Sequence, residues 1–379
     1  MRVMFCVYGY SPDVERLQPW LTVHQVASVL IASGWEVHLL TDVDKPPTLA
    51  GMQHHYVRTM RPSNAAAVRA VLDAVAPDRV IVLTTPLNLM FSSWYKFVRC
   101  KLIAFLTYPF YTHAELARAL PHLRREDFIA YGRHALVPKL LWARTLRKYF
   151  SAVIAQSHRT AARVANAAGP MIKAHGLRAG LDLDFWAPSK AGATRTRSVV
   201  RFLYVGSAKA IRGFNVLLDA FRRLGNHDVE LRILARGSDP AEVSELRRRI
   251  DARVGGKRDR VEIIGGWMDR ERYREELRAA DVVALPFVLV PSELPVSVIE
   301  CIACGTPVIA TDIDGLPDAV GDAGIIVRSG SAAALAAAMR DLATDPARIE
   351  RLRIRCIEAR KGMLDWPGAG LEWLRVLSA

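Results

Sequence analysis

The chain predicts an α/β protein of two doubly wound domains, each a parallel sheet covered by helices on both faces. Three observations carry this. Short β-branched runs alternate with longer helical patterns. Several of those runs are continuously apolar, as strands are when both sheet faces are covered. The alternation also breaks once, in a polar, turn-rich stretch, and then starts afresh. With 379 residues, the chain has enough material for about two domains of roughly 150 residues each.

In the first half, strands are expected at 2–8, 36–41, 79–84, 101–107 and 152–157, with helices at 21–33, 64–75 and 131–149. In the second half, strands fall at 199–206, 230–235, 260–265, 281–286, 306–311 and 324–327. Helices lie between them at 213–224, 240–253, 270–279, 296–303 and 331–343. The segment "RAGLDLDFWAPSKAGATRTRSVV" (178–200) supplies a hinge near Gly180 to Pro188 and a loose linker at 189–198. This divides the chain into domains at 1–180 and 181–360, with residues 361–379 carrying Pro and Gly punctuation before an amphipathic helix. Ligands of open α/β sheets lie at the carboxyl ends of strands, so two such sheets would face one interdomain cleft.

Apolar residues make up 51% and charged residues 24%, the profile of an ordinary globular protein. No apolar run reaches the length of about 18 residues that spans a bilayer, and "MRVMFCVYGY" lacks the pattern of a signal peptide. The net charge of +14 leaves anionic lipid and phosphorylated small molecules as partners. Zinc-finger spacing, an aromatic RNA-binding signature and a basic tail are all missing, which argues against nucleic acid. The cysteines, 6, 100, 301, 304 and 356, are odd in number and sit mostly in apolar runs, as expected of a reducing cytoplasm. Cys301 and Cys304 form a lone C-x-x-C inside an apolar helical pattern, readable as packed small side chains or as a redox pair.

Two βα turns carry the candidate chemistry. In "FLYVGSAKAIRGFNVLLDAF" (202–221), Gly206 ends a strand, Gly213 opens a helix, and Lys209 and Arg212 lie between. A helix start beside cations suits a phosphate, although the loop matches neither a P-loop nor G-x-G-x-x-G, and a solvated turn is the plainer reading. In "PSELPVSVIECIACGTPVIAT" (291–311), Pro295 suits a first helical turn. The amides near Val296 and Ser297 then point toward the cleft. Glu300, one to two turns in, can accept two hydrogen bonds from a vicinal diol such as ribose. Glu293, ahead of the helix, either accepts from sugar hydroxyls or is a helix-start charge favoured by the dipole. Glu300 has apolar neighbours at Val298, Ile299, Ile302 and Ala303 and needs a partner.

Gly206…Arg212-Gly213, then "ADVVALPF", then "PSELPVSVIECIACGTPVIATDIDGLPDAV", resemble in order and spacing the nucleotide-sugar domain of GT-B glycosyltransferases of family 4. "SAVIAQSHRTAARV" resembles that family's last N-domain strand and helix, "GLDLDFWAP" its hinge, and the last helix its return onto the N-domain. The resemblance implies two Rossmann-like domains and a retaining enzyme that binds its donor without metal or cofactor, the co-substrate being a UDP- or GDP-sugar. It places Glu300 on the ribose, Glu293 on the transferred sugar, and Leu294, Pro295, Val296 and Ser297 beside the sugar or diphosphate. Arg212 and Lys209 would serve the diphosphate with Gly206 and Ser207. Gly265 and Trp267 would lie near the base, and Gly9 would approach from the N-domain. Two departures stand out: six residues, not seven, separate the glutamates, so strict spacing puts Ser292 first, and Ser207 replaces the arginine that usually follows the strand glycine. Of the two, a shortened loop with Glu293 still serving is the favoured reading, and Lys209 is the replacement cation, as a point charge in place of a planar fork.

Fixed cations and helix dipoles would stabilise the departing nucleoside diphosphate. His113, after the fourth expected strand, is either a sugar or acceptor contact or a capping histidine; His24 reads as structural. The acceptor would be a glycan, a lipid-linked molecule or a small molecule of cell-envelope synthesis, held on the N-domain. Leu140, Leu141, Trp142 and Phe150 with Arg144, Arg147 and Lys148 read either as a peripheral contact with the inner face of an anionic membrane or as an ordinary amphipathic helix. A non-catalytic partner of the same shape, or a sugar-nucleotide epimerase or hydrolase, is the alternative; a pyridoxal-phosphate phosphorylase motif is not found.

Overall fold

The computed structural model of the protein describes residues 1–12, 17–91, 94–108, 110–189, 199–236, 239–266, 268–290 and 292–379. Two parallel sheets organise it. The first holds β1 (Arg2–Val7), β2 (Glu36–Thr41), β3 (Met52–Tyr56), β4 (Arg79–Thr84), β5 (Lys101–Leu106), β6 (Ala152–Ala155) and β7 (Lys173–Gly176). Their order across the sheet is β3-β2-β1-β4-β5-β6-β7. The second holds β8 (Val200–Val205), β9 (Val229–Arg236), β10 (Val261–Gly266), β11 (Val282–Leu285), β12 (Val308–Thr311) and β13 (Gly324–Val327), ordered β10-β9-β8-β11-β12-β13. Strand order reverses between β1 and β4 in one sheet and between β8 and β11 in the other. Those reversals are where open α/β sheets leave a crevice at their carboxyl ends. Phe5, paired with Leu39 and Ile81, shows why the central strands are apolar throughout: all three are fully buried between helical layers.

Several expectations need correction. β3 and β7 were not anticipated, because "MQHHY" and "KAHG" lie at the sheet edges and carry polar residues where a central strand carries valine and isoleucine. For the same reason β6 is not the last strand of the first sheet. The helix expected at 131–149 is broken: a 3₁₀ turn covers Gly132–Leu136, Pro138 stops it, and a helix resumes at Lys139–Tyr149. His113 is not in a loop but opens the helix His113–Ala119, whose capping box is closed by Thr112 and Glu115. Trp142 on Lys139–Tyr149 and Phe150 just after it face inward, packed edge-on against Phe110 and Tyr95, and are withdrawn from any membrane. Leu140 and Leu141 stay exposed.

The last helix, Trp366–Ser378, returns to the first sheet. Its Gly370 lies so close to Val29 that a Cβ would come within 2.5 Å, and Trp373 is buried edge-on against Phe105 at 4.9 Å. The two domains share a buried boundary. Tyr111, Leu116, Ala119 and Ala135 of the first domain belong to the same apolar cluster as the core of the second. Interfaces of this kind limit relative domain motion. Residues 190–198 of the expected linker lie outside the described residues.

Candidate functional site

The crevice at the second reversal is built by the turn after β8 and the loop after β11. They are stitched together at Ile211, whose carbonyl accepts from the amides of Val288 (2.8 Å) and Leu289 (3.0 Å). Gly213 packs against the carbonyl of Pro286, where a Cβ would fall 1.7 Å from the oxygen, and its φ of +72° reserves the position for glycine. A 3₁₀ turn, Ala210–Arg212, carries the chain into the helix Phe214–Arg222.

Arg212 lies across Gly206. Its Nη1 donates to the Val205 carbonyl at 3.3 Å, and its guanidinium stands over the Phe287 ring at 5.4 Å. Gly206 has a φ of +122°, and a Cβ there would sit 1.7 Å from Arg212 Nη1. The glycine is therefore the space in which the arginine lies. Lys209 is exposed, and Ser207 offers its carbonyl to the Tyr204 hydroxyl at 2.8 Å. Arg212 also stands close enough to Tyr131, from the first domain, to draw down a phenol pKa that burial raises.

The helix Val296–Ala303 starts from Pro295, which is its N-cap and not its first helical residue. Val296 and Ser297 form its first turn, half-buried, and the Ser297 hydroxyl is buried with no hydrogen-bond partner among the described residues. Glu300 is half-buried on the same helix and accepts from the Tyr273 hydroxyl at 3.1 Å. Tyr273, on the helix Arg270–Ala279, was missed by sequence reading; one tyrosine in an arginine- and glutamate-rich helix gives no pattern to find. Gly265 is exposed at the end of β10, pressed on Val243. Trp267 lies outside the described residues.

Glu293 points away from this crevice. Its carboxylate is fully buried and takes three hydrogen bonds from the first domain: from the Gln156 amide (2.7 Å), the Ser157 amide (2.9 Å) and the Ser157 hydroxyl (2.9 Å). Ser157 is the N-cap of the helix His158–Ala168, so the acid sits on that helix's amide end. Asp314, also fully buried, accepts from Thr160 Oγ1 at 2.9 Å and stands 3.8 Å from Arg163. Burial drives both carboxyls up, Glu293 to about 8 with Asp314 adding repulsion, and Asp314 to about 7 with Arg163 opposing. Ser292 takes the position that strict spacing assigns to an acid; its hydroxyl donates to the Leu294 carbonyl at 3.4 Å, and both residues are buried.

From the first domain, Gly9 follows β1 with a φ of +60°, and its amide donates to Asp42 at 2.7 Å. His113 is exposed at its helix start. His24 is bonded to the Tyr10 hydroxyl at 2.9 Å. Cys301 and Cys304 are buried free thiols, their pKa pushed up by burial, to about 12 for Cys304. Among the described residues, no group of three or more His, Cys, Asp or Glu is arranged to hold a metal ion, and no helix is long and apolar enough to cross a membrane.

Residues 200–345 match the family described as Glycosyl transferases group 1. The α-maltose-1-phosphate synthase of Mycobacterium tuberculosis is 34% identical over 206 residues, 48% of this chain and 52% of the relative. The D-inositol 3-phosphate glycosyltransferase of Xylanimonas cellulosilytica is 32% identical over 197 residues, 47% and 45% of the two chains. The chain thus spans about half the length of the curated relatives it matches. Solved structures are similar over its whole length. A sucrose-phosphate synthase from Thermosynechococcus elongatus has a TM-score of 0.73 at 18% identity, covering 100% of this chain and 98% of that one. HepE of Anabaena, solved in complex with UDP, has a TM-score of 0.70 at 17% identity, covering 100% of both. The chain therefore has the GT-B fold, two Rossmann-like domains across a cleft, and residues 200–345 of its second domain are similar to the glycosyl transferases group 1 family.

Proposed function

We propose that this protein is a retaining, metal-independent glycosyltransferase that moves a sugar from a nucleoside-diphosphate sugar to an acceptor on the first domain. The observation that carries the reading is the crevice between β8 and β11. On the β8 side Arg212 is fixed by Gly206 and lies over Phe287, and the chain after β11 leads into the helix Val296–Ala303, on which Glu300 is bonded to Tyr273. A guanidinium and a helix N-terminus on the two turns of one crevice suit a diphosphate, and a carboxylate further along the helix suits the ribose diol. In the reaction, the bond from the anomeric carbon to the diphosphate oxygen breaks and the leaving oxygens gain negative charge. Arg212 and the amide end of the helix stabilise that charge as it develops. The acceptor hydroxyl attacks the anomeric carbon on the face the diphosphate leaves, which retains the configuration, and its proton passes to the departing phosphate oxygen.

UDP is the favoured nucleotide, since similar structures hold UDP and UDP-glucose. The acceptor reading is a cell-envelope glycan or lipid-linked molecule at the cytoplasmic face of a membrane. Leu136, Leu140 and Leu141 are exposed beside the exposed Arg144, Arg147 and Lys148, which suits an anionic surface. A thermal-shift and calorimetric screen against UDP-, GDP- and ADP-sugars tests the donor. NMR of the product's anomeric configuration tests retention, and turnover in EDTA tests metal independence. Specific binding of no nucleotide would end the proposal. A second reading, a non-catalytic partner of the same fold, is favoured by Ser207 and by the engagement of Glu293. Nucleoside diphosphate release from a bound donor, with or without acceptor, excludes it.

A further inference from the structure

The loop from Pro286 to Pro295 leads into the helix whose first turn is assigned above to the donor, and the first domain grips it at two points. At Val290, fully buried, the Tyr111 hydroxyl donates to the carbonyl at 2.6 Å and accepts from the amide at 3.0 Å. One side chain thereby satisfies both backbone groups of a loop residue in the other domain, work normally done by a neighbouring strand. Three residues later Glu293 takes the amides of Gln156 and Ser157 and the Ser157 hydroxyl. A carboxylate with two oxygens and three donors has little left to offer a ligand, and opening it would strand two buried amides. The contact is tight on its other side as well. A Cβ on Gly315 would meet Ser157 Cβ at 2.8 Å and the Glu293 carbonyl at 3.3 Å.

We propose that Glu293 and Tyr111 are positioning residues for the donor, not ligands of it: they tie the loop before the donor helix to the first domain. Ser292-Glu293-Leu294-Pro295 is a short tether, so the placement of the Glu293 carboxylate sets where Val296 and Ser297 present their amides. The helix start that faces the diphosphate is then held by the opposite domain before any nucleotide arrives. Two flanking contacts reinforce the tie: the Arg159 amide donates to Asp318 at 2.7 Å, and Arg118 pairs with Asp312 at 2.6 Å. Hydroxyls of the transferred sugar must in consequence be read by other groups of the crevice. The inference rests on the donor-binding reading above.

The test separates a tie from a sugar ligand. Amide hydrogen exchange at Gln156 and Ser157 is measured in the nucleotide-free protein, for wild type, Glu293→Gln and Tyr111→Phe. Calorimetry then gives the affinities of each for UDP and for UDP-glucose. Glu293→Gln is expected to speed exchange at the two amides by about tenfold or more without any ligand, the effect of one lost buried hydrogen bond. It should weaken UDP and UDP-glucose by the same factor. Tyr111→Phe should speed exchange at the Val290 amide and weaken UDP and UDP-glucose by one common factor, while exchange at amides of the second sheet stays as in wild type, a pattern that general destabilisation does not produce. Unchanged exchange in the nucleotide-free protein would overturn the inference. So would a loss confined to UDP-glucose with UDP binding intact, the signature of a carboxylate on sugar hydroxyls. If Glu293→Gln fails to fold, Ser157→Ala removes the hydroxyl donor to Glu293 along with the N-cap bond to the Thr160 amide, leaves the Gln156 and Ser157 amide donors in place, and is read by the same exchange at Gln156. Should wild type bind no nucleotide, the donor reading fails alone, because the exchange measurement needs none.

Discussion

Replacing Gly206 with alanine tests the phosphate site at its narrowest point. Two effects follow from the geometry. The first is conformational: at a φ of +122° an alanine is held in a region open essentially to glycine, at a cost of about 1–3 kcal/mol of folding stability. The second is steric: the new methyl would sit 1.7 Å from Arg212 Nη1, so the guanidinium must leave its place over Phe287 and lose its bond to the Val205 carbonyl. If that guanidinium serves the diphosphate, a charge-assisted hydrogen bond of about 1.5–3 kcal/mol goes with it. At about 1.4 kcal/mol per decade, UDP affinity falls roughly 10- to 150-fold. Uridine, which lacks the diphosphate, should bind as to wild type. Calorimetry with both ligands reads the difference, and urea unfolding reads the stability loss separately. Arg212→Ala should reproduce the UDP loss without the conformational cost. The double variant should lose little more UDP affinity than either single one, since both remove the same contact. UDP affinity unchanged in a folded Gly206→Ala protein, or an equal loss for UDP and uridine, refutes the assignment of Arg212 to the diphosphate.

Glu300→Ala is expected to weaken UDP by roughly 10- to 100-fold through the lost ribose acceptor, with Tyr273→Phe costing less, about 0.5–1.5 kcal/mol; unaltered calorimetric affinity in Glu300→Ala removes the ribose assignment. Gly315→Ala places a methyl 2.8 Å from Ser157 Cβ and should lower interface stability by about 1–3 kcal/mol, read as a reduced urea midpoint. Burial raises the Glu293 pKa to about 8 and that of Asp314 to about 7, so the folded protein holds these protons more tightly than the unfolded chain does. Their contribution is then full below the ordinary carboxylate range and is lost as pH rises through about 7 to 8. Unfolding free energy should fall between about pH 4 and pH 8 and level off above, and Asp314→Asn should flatten that slope.

What was legible in the sequence divides along physical lines. The second sheet was read strand for strand, because "VVALP" and "TPVIAT" are buried on both faces and carry no competing signal. β3 and β7 were not, since an edge strand half-open to water needs no apolar run; "MQHHY" is held by its pairing with β2. The helix at 131–149 was drawn through Pro138, whose ring ends a helix whatever the surrounding periodicity says. In the site, Gly206 and Arg212 were legible because a glycine ending a strand and a cation before a helix are local features. Tyr273 and Tyr111 were not, because each acts on an element far away in the chain, 27 residues from Glu300 and 179 from Val290.

Glu293 shows where spacing alone misleads. In the sequence it is an acid one residue from the expected place, and a shorter loop would restore it to the sugar. The fold resolves the ambiguity by burial. A carboxyl group can be withdrawn from water only where hydrogen-bond partners converge, and those that converge on Glu293 are the amides and hydroxyl at the start of the helix His158–Ala168 in the other domain. A shift of one position along the loop therefore changes which domain the acid addresses, and with it whether the group recognises a ligand or sets the frame in which the ligand is recognised. Tyr111 reaches the same loop from the same side, three residues before the acid. The loop that leads into the helix Val296–Ala303 is thus held by its own sheet on one side and by first-domain groups on the other. Its geometry belongs to the assembled pair of domains, and the isolated second domain would not possess it.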